Sequence, residues 1–496
     1  MKFSMQAKLV FVLLIAVLLL SACEIPVGGN TAARKPNFIV ILTDDLDTSL
    51  MPVMINTKEL VTDRGADFTN YFITSPYCCP ARSSYYRGQY AHNTGILVNT
   101  PGFIQFQKDG LEKETLAVWL QRAGYQTSLI GKYFVSYPGQ LHKSYLPPGW
   151  TDWHGLINED VANKFIKSDS GYYYNYVLNE NGVTNIYGHA EADYTTDVFN
   201  RLSQQFINSS IDAYQPFFLW VGIKAPHDPA IPAPRHENSL PDLVYPAKPS
   251  TLEADISDKP GLMMERSTVS GDTTTTAEIN SVYRQHALTM LSVDEMVADL
   301  VALLDSRGEL DNTYIIITSD NGFHYGEHGL AFGKGLPYLE DTRVPMVMRG
   351  PGIPEGLVID ELTANIDLVP TIAELAGIRA KNFVDGRSWV PLFASDPTVD
   401  WRQALLIEIG NLDFSKPSPI VYRGIRGKDS LYVEYLDNDR KELEYYNLQQ
   451  DPYEMENKAA SLTDMDLDQL HTLLEQLMAC KSKDCRIVDL QAPGIY

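Results

Sequence analysis

The sequence of 496 residues is poor in cysteine and in basic residues, and it has no apolar stretch long enough to span a membrane. Five cysteines exclude a small domain that is held together mainly by disulfides. The 40 Lys and Arg against 63 Asp and Glu give a formal charge of −23, which argues against a nucleic-acid partner, because such a partner needs a basic surface. The apolar run from Leu9 to Leu20 has twelve residues, whereas a spanning helix needs about 20.

The composition is that of a folded protein. Hydrophobic residues make up 44% and charged residues 21%, which is enough for a packed core. At roughly 100–200 residues per domain, the length indicates two or three domains, or one large domain with an appendage. The remaining classes are a large acidic enzyme and a binding protein.

The N-terminus has the pattern of an export signal. Two lysines precede the apolar run, and Leu20-Ser21-Ala22-Cys23 looks like a bacterial lipobox. We expect cleavage after residue 22 and a lipid on Cys23, followed by a tether over residues 23–34; the alternative is an ordinary signal peptide with an incidental cysteine. Glu24 is not the aspartate that retains lipoproteins at the inner membrane. The pattern therefore predicts a lipid-anchored protein of the cell envelope, at the outer membrane.

Export gives the other cysteines a meaning. Cys480 and Cys485 can close a small disulfide loop in an oxidising compartment, and two free thiols are the alternative. The adjacent Cys78 and Cys79 bridge each other only with strain, so an odd thiol is left that calls for a chemical role.

Four short apolar runs are each followed at once by polar residues. Such runs fit strands that are buried on both faces of a mostly parallel sheet. They are Phe38 to Leu42, Ser128 to Ile130, Phe217 to Val221 and Tyr314 to Ile317. Ligands of such sheets bind at the carboxyl ends of the strands, so we expect the polar groups that follow to meet in one crevice.

Helical patterns alternate with these strands, which predicts an α/β fold. One helix is expected over Leu111 to Ala123, and another over Tyr283 to Leu304, with a C-terminal signal at Arg307-Gly308. From about Trp401 short strand patterns lie close together and predict an antiparallel sheet, which a helix over Met465 to Met478 follows. The segment Pro229 to Thr276 has the composition of a long surface excursion.

Asp44, Asp45, Asp320 and Asn321 follow two of the predicted strands. Carboxylates that meet without a cation repel one another. Ligands that are all oxygen favour Ca²⁺ or Mg²⁺ over zinc. An Asp pair after a strand is often only a turn or a cap, but Asp-Asn-Gly after a second strand strengthens the interpretation as a metal site.

The segment from Cys78 to Gly88 contains Cys-Cys-Pro-Ala-Arg and can open a helix at residue 78, and helix N-termini bind anions. This segment resembles the signature of the sulfatase family, in which a separate enzyme oxidises the first cysteine to formylglycine. The resemblance covers nearly the whole chain after the signal and includes Asn37 to Asp45, Gly131-Lys132-Tyr133, Ala225-Pro226-His227, Thr318 to His324, Gly326 to Gly329, Gly333-Lys334-Gly335, Asp341 to Arg349, Asp367 to Gly377, Asp385 to Ser388 and Tyr446 to Glu454.

The resemblance implies a role for each matched residue. Cys78 would be the formylglycine, whose hydrate attacks the sulfur of the ester and forms a sulfo-enzyme intermediate. Arg82 would support the hydrate and the metal. The sulfate oxygens would be bound by Lys132, His227 and Lys334, and His227 would protonate the leaving alcohol. One Ca²⁺, rather than Mg²⁺, would be held by Asp44, Asp45, Cys78, Asp320 and Asn321.

Other residues are weaker candidates or depart from the family pattern. His92, His324 and His328 are candidates for the substrate pocket, with structural histidines as the alternative, and Cys79 is interpreted as a buried small residue. Ala81 stands where many members have serine, Tyr86 where leucine is usual, Arg87 where threonine is usual, and Phe134 where many have histidine. Phe134, Tyr90 to Asn93, and the motifs around Cys78 and Lys132 resemble the branch with glucosamine-6-sulfatases and related glycan sulfatases.

The sequence thus predicts an exported sulfatase with an alkaline-phosphatase-like fold, acting on a sulfated polysaccharide or its oligosaccharides and matured by a formylglycine-generating enzyme. The expected organisation is a signal peptide (1–22), a lipidated tether (23–34), a catalytic domain (35–395) and a C-terminal subdomain (396–496). The membrane is contacted only through the lipid. The alternatives are a phosphonate or phosphodiester hydrolase of the same superfamily and an inactive lipoprotein that binds sulfated glycans.

Overall fold

The computed structural model describes residues 34–139, 141–162, 171–266, 274–394, 399–410, 421–436 and 442–494. Residues 36–496 form one compact unit, and of the separate unit 1–35 only Arg34 and Lys35 are described. The predicted signal peptide and Cys23 therefore lie outside the described residues. Within the described part, no helix has the length and apolar character needed to cross a membrane.

Among the described residues, the strands and helices alternate along the first three quarters of the chain. The strands are β1 (Asn37–Asp44), β2 (Ala66–Phe68), β3 (Tyr71–Phe72), β4 (Gln126–Gly131), β5 (Asp152–Leu156), β6 (Val177–Glu180), β7 (Val183–Ile186), β8 (Phe217–Pro226), β9 (Thr313–Ser319), β10 (Met346–Arg349), β11 (Leu357–Ile359), β12 (Thr363–Ala364), β13 (Leu405–Ile409), β14 (Tyr422–Arg426), β15 (Ser430–Tyr435) and β16 (Glu442–Asn447). The α-helices are α1 (Ile55–Thr57), α2 (Cys78–Arg87), α3 (Ala91–Thr94), α4 (Gly102–Lys108), α5 (Leu116–Arg122), α6 (Glu159–Ala162), α7 (Thr195–Asp212), α8 (Gly261–Arg266), α9 (Thr276–Ser306), α10 (Leu339–Thr342), α11 (Leu368–Leu375), α12 (Asp464–Ala479) and α13 (Cys485–Val488).

The main sheet has ten strands in the order β11-β2-β10-β9-β1-β8-β4-β5-β6-β7. Its centre, β9-β1-β8-β4, consists of the four predicted buried strands, and each neighbouring pair is parallel. Antiparallel strands join this centre through β10 on one side and β6 and β7 on the other. The predicted α/β architecture with a mostly parallel central sheet is confirmed.

Strand β1 shows why the sheet is buried on both faces. Its alternate residues enter two different hydrophobic clusters, with Phe38, Val40 and Leu42 on one face and Ile39 and Ile41 on the other. Successive side chains of a strand point to opposite faces, so a continuous apolar run is what a doubly covered strand needs. The face of Ile39 is covered by α7 and α9, and the opposite face by α2 and α5.

The helix predicted over Tyr283 to Leu304 is part of α9. It begins with a capping box, in which Thr275 and Glu278 bond each other's backbone N–H groups. It ends before Gly308, whose φ of +66° is a conformation that glycine adopts at little cost.

The helix predicted over Leu111 to Ala123 is wrong in its first turn. Leu111–Glu114 is a 3-10 helix, Thr115 is extended, and α5 begins only at Leu116. The carbonyls of Leu111 and Glu114 accept hydrogen bonds from Arg87 Nη1, both at 2.9 Å. A distant arginine therefore binds the carbonyl groups that a continuous helix would have used.

The C-terminal part forms a second sheet, as predicted. Strands β13 to β16 are antiparallel in sequence order, and α12 packs on them through Leu470 and Leu474. The structure joins Cys480 to Cys485 by a disulfide. Arg402 connects this part to the rest of the fold, because its guanidinium binds Asp367 and Asp489, and all three side chains are buried.

Candidate active site

The candidate site lies at the carboxyl ends of the central parallel strands. Asp44 ends β1, Lys132 directly follows β4, His227 follows β8, and Asp320 and Asn321 follow β9. Because parallel strands end at one edge of the sheet, residues far apart in sequence meet there. Backbone bonds hold the edge together, since the Asp320 N–H donates to the Thr43 carbonyl and the His227 N–H to the Asp44 carbonyl, both at 3.1 Å.

Cys78 faces this edge from the start of α2. Tyr77 is extended and serves as the N-cap, and Pro80 is tolerated in the first turn because no N–H is needed there. Every residue of α2 is buried. The Cys78 Sγ lies 3.5 Å from Asp44 Oδ1 and 3.2 Å from Lys334 Nζ.

Four acidic or thiol side chains bring one potential ligand atom each into a small volume. These atoms, from Asp44, Asp45, Cys78 and Asp320, all lie within 4.8 Å of one another. Asp45 reaches the cluster because its φ of +71° turns the backbone sharply after β1, a conformation that Asp tolerates better than most residues.

The donor set fits a hard divalent cation. Asn321 Nδ2 donates to Asp45 Oδ1 at 2.6 Å, whereas Asn321 Oδ1 is buried without a donor among the described residues. A cation satisfies both an orphaned amide oxygen and a group of converging carboxylates. Asp44, Asp45, Asp320 and Asn321 therefore fit the oxygen ligands of Ca²⁺ or Mg²⁺.

Buried cations surround the acidic cluster. Arg82 Nε donates to Asp320 Oδ2 at 2.8 Å, and Arg82 Nη1 donates to the Lys132 carbonyl at 2.8 Å. Lys132 Nζ donates to Asp44 Oδ2, and Lys334 Nζ donates to Asp45 Oδ1. The structure thus brings together the predicted residues Arg82, Lys132 and Lys334 around the predicted metal ligands.

Lys224 also belongs to the site, although the sequence pattern did not identify it. It lies in β8, it is buried, and its Nζ donates to Asp44 Oδ2 at 2.7 Å. The signal was a single lysine in the otherwise apolar run from Phe217 to Pro226. A charged side chain that a fully buried strand cannot leave to solvent needs a partner, and here the partner is Asp44.

The charges of the site shift the pKa values of its carboxyl groups in different directions. Burial alone would raise the pKa of Asp44, but Lys132 and Lys224 outweigh it and hold that pKa well below the usual range. Burial, followed by the charge of Asp44, raises the pKa of Asp320 although Arg82 opposes this. Charge compensation within the cluster is therefore uneven, and a cation bound beside Asp320 would relieve its repulsion with Asp44.

Two further groups are held in their neutral forms. Burial raises the pKa of the Cys78 thiol, so the unmodified residue is a poor thiolate nucleophile. Burial, followed by the charge of Lys224, lowers the pKa of His227 to about 4. The His227 Nδ1 lies 2.6 Å from the Asp228 carbonyl, which fixes the proton on Nδ1 and leaves the lone pair of Nε2 toward Asp45 Oδ2, 3.8 Å away.

The three histidines expected in the substrate pocket differ in position. His92 has both ring nitrogens engaged, with Glu408 at 2.8 Å and the Cys480 carbonyl at 3.2 Å, which fits a structural histidine rather than a substrate contact. His328 is enclosed against Tyr338 and bonds Glu253 at 2.9 Å, and it also fits a structural role. His324 bonds Asp341 and lies beside Gly333, next to Lys334, so it stays a candidate.

The residues that depart from the family pattern make contacts within the folded structure. Arg87 is buried, binds backbone carbonyls and lies over the Phe383 ring at 4.2 Å. Tyr86 and Phe134 lie in one aromatic cluster, with ring centroids 5.4 Å apart, and Phe103 and Phe106 complete it around Phe134. The position of Phe134 therefore belongs to the core and offers no imidazole to the site.

The Sγ of Cys79, the neighbour of Cys78, lies 3.9 Å from the Val135 carbonyl oxygen. Cys79 is buried, and its Sγ lies close to the position that a Cβ would occupy on Gly102. Its backbone N–H donates to Asn99 Oδ1 at 2.7 Å. The packing agrees with the interpretation of Cys79 as a small buried residue.

Comparisons with known proteins agree with this geometry. The sulfatase family model matches residues 36–378, and the model of the N-sulphoglucosamine sulphohydrolase C-terminal region matches residues 326–483. Human N-acetylglucosamine-6-sulfatase is 30% identical over 514 residues, which cover 96% of this chain and 91% of that protein.

Two further matches cover different shares of the matched proteins. The extracellular sulfatase SULF-1 homolog of Drosophila melanogaster is 37% identical over 390 residues, and the match covers 77% of this chain and 34% of that protein, so the chain spans about a third of its length. A solved complex with D-glucosamine-2-N,6-O-disulfate has a TM-score of 0.73 and 24% identity, covering 91% of this chain and 98% of the other. At 24% identity, this similarity shows that the two chains share a fold.

Proposed function

The chain belongs to the sulfatase family, and from this premise we propose that it hydrolyses sulfate esters of sulfated carbohydrates, with sugars of the N-acetylglucosamine-6-sulfate type as the substrate class. The observation that carries the proposal is the position of Cys78, at a buried helix N-terminus beside a cluster of three carboxylates and a ring of cations. The name of the human relative supports the choice of sugar.

Two groups that the family implies would complete the site. Asp44, Asp45, Asp320 and Asn321 would hold one Ca²⁺, whose charge supplies stabilisation of negative oxygen atoms. Formylglycine made from Cys78 would supply a hydrated aldehyde as the nucleophile, which suits a site where the thiol itself stays protonated.

The cationic side chains bind and orient the ester. Lys132 and Lys334 each lie next to Cys78 and to a carboxylate of the cluster, so a sulfate group placed there would receive their N–H groups. Fixed cations in a site with little water stabilise developing negative charge more than the same groups do in water. Arg82 holds Asp320 and the Lys132 backbone in place, which keeps these donors aligned.

His227 moves the proton. With Nδ1 committed to the Asp228 carbonyl, Nε2 would take up a proton from solvent as the ester binds and give it to the leaving alcohol. A neutral imidazole has to collect that proton first, and the negative charge of a bound sulfate ester favours the protonated ring.

The direct test is release of sulfate from a panel of defined sugars, sulfated at single positions, by protein co-expressed with a formylglycine-generating enzyme. Cys78→Ala should abolish release, and Cys79→Ala, which changes the adjacent buried thiol, should retain it. Mass spectrometry of the peptide that contains residue 78 reports maturation. Equal activity of Cys78→Ala and the parent would contradict the mechanism, and faster turnover of phosphonate or phosphodiester substrates would favour the alternative reaction.

We also propose that the enzyme is a lipoprotein of the outer membrane. Residues 1–22 would be the signal peptide, Cys23 the lipid site, residues 23–34 the tether, residues 35–395 the catalytic domain and residues 396–496 the C-terminal subdomain. Large sulfated glycans are met outside the cytoplasm, which supports export. Metabolic labelling with a fatty acid should mark the parent and not Cys23→Ala, and a soluble, unlabelled parent would refute the anchor.

A further inference from the structure

Lys224 is an ammonium group with unused hydrogen-bond donors inside the site. Its side chain is 3% exposed, and its one hydrogen bond to the described residues goes to Asp44 Oδ2 at 2.7 Å. The Tyr172 ring lies against it, with the Nζ 3.9 Å from the ring centroid. An ammonium has three N–H donors, so at least one is left without an acceptor.

Lys132 occupies the same side of the cluster. Its Nζ also donates to Asp44 Oδ2, so two ammonium groups converge on one carboxylate oxygen. Lys334 lies on the other side, near Asp44 Oδ1 and against Asp45 Oδ1. The two like charges repel each other, and a further anion beside them would offset that repulsion.

The positive charge around the cluster also exceeds the negative charge of its carboxylates. Asp44, Asp45 and Asp320 supply three negative charges, and the cations that contact them are four, namely Arg82, Lys132, Lys224 and Lys334. A divalent cation on the carboxylates would add to this excess. This balance of charge favours an anion beside the cluster, and Phe134, which belongs to the aromatic core, adds no donor there.

We propose that Lys224 binds an oxygen of the substrate's sulfate group together with Lys132, from the side of Asp44 Oδ2. This inference rests on the proposed function and adds a substrate-binding residue to it. The Tyr172 ring and Asp44 fix the ammonium, so binding of a sulfate oxygen by its remaining N–H costs little side-chain entropy. A lysine that served only as the counter-ion of Asp44 would make no contact with sulfate.

The experiment measures binding rather than turnover. Isothermal titration with inorganic sulfate is carried out in the Cys78→Ala background, with Ca²⁺ present, for the parent and for Lys224→Met. We expect Lys224→Met to weaken sulfate binding at least tenfold, because a hydrogen bond to a charged group is lost. Titration with Ca²⁺ should show no loss of affinity, since the substitution removes a positive charge that competes for Asp44.

Lys259→Met is the matched control. Lys259 is also a buried lysine, but its Nζ donates to the carbonyls of Glu454 and Met455, outside the site. Its replacement should leave the sulfate affinity within twofold of the parent. Lys224→Gln, which keeps an N–H donor without the charge, covers the case in which Lys224→Met fails to fold, and it should also bind sulfate more weakly.

The outcomes separate the two hypotheses. A folded Lys224→Met or Lys224→Gln protein that binds sulfate as tightly as the parent overturns the role of Lys224 and leaves the proposed function intact. A parent protein that binds no sulfate, while its Ca²⁺ titration is normal, overturns the proposed function and this inference with it.

Discussion

Replacing Arg82 with methionine should lower the free energy of unfolding by about 3–5 kcal/mol. The guanidinium and the carboxylate of Asp320 are 2.8 Å apart, and both side chains are 0% exposed. Removal of the cation leaves Asp320 buried beside Asp44, and burial, followed by the charge of Asp44, already raises the pKa of Asp320. The cost is therefore that of an uncompensated charge rather than of one lost hydrogen bond.

The expected change in melting temperature follows from the size of the folded unit. At about 2.1 cal/mol/K per residue, unfolding of residues 36–496 has an entropy of about 1 kcal/mol/K. A loss of about 3–5 kcal/mol thus lowers the melting temperature by about 3–5 °C. Arg64→Met is the control, because Arg64 and Glu355 form an exposed pair, 56% and 64% accessible, and such pairs contribute about 0–1 kcal/mol.

A double variant tests the cause. In Arg82→Met with Asp320→Asn, neither partner carries a charge, so the protein should melt well above Arg82→Met alone. Sulfate release should stay absent, because Asp320 is a proposed ligand of the cation. The reasoning is refuted if the double variant melts below both single variants, or if Arg82→Met melts like Arg64→Met in calorimetry.

Further predictions concern the metal, pH, packing and the disulfide. Chelation should abolish sulfate release, and Ca²⁺ should restore it at a lower concentration than Mg²⁺; recovery without any divalent cation contradicts the site. Burial raises the pKa of Glu112 from about 4.5 to about 7. The protonated carboxyl group therefore contributes stability that is present below pH 4.5 and lost as the pH rises through 7. The urea midpoints of Glu112→Gln should vary less between pH 5 and 8 than those of the parent. Phe134→His buries a polar ring among aromatic residues and should cost about 1–3 kcal/mol in urea unfolding without raising kcat. Removal of the Cys480–Cys485 disulfide should cost about 2 kcal/mol in the same assay and leave kcat unchanged, and a large loss of kcat would contradict a purely structural role.

The sequence was sufficient for the features that depend on local pattern. Apolar runs such as Phe38 to Leu42 are long enough to identify strands buried on both faces, and the rule for carboxyl ends placed Asp44 and Asp320 together. The helix over Tyr283 to Leu304 followed from its apolar period, which is a property of neighbouring residues.

Features that depend on distant partners could not be predicted. The predicted helix over Leu111 to Ala123 is interrupted at Thr115 because Arg87 binds nearby carbonyl groups. The sequence of that helix alone does not indicate this contact. Lys224 was hidden inside a strand pattern, since its partner Asp44 lies 180 positions earlier in the chain. For His92 the sequence left a pocket residue and a structural histidine open, and its contact with Glu408 of the second sheet, which favours the structural role, is also a distant one.

The contact between Lys334 and Asp45 joins residues 289 positions apart. During synthesis, the acidic end of β1 therefore exists long before the loop that carries this lysine has been made. A chain shortened to end before residue 334 could still contain β1, β4, β8 and β9, but its carboxylates would lack that lysine. The site is therefore completed only after residue 334 has been synthesised, later than all four strands of the parallel centre.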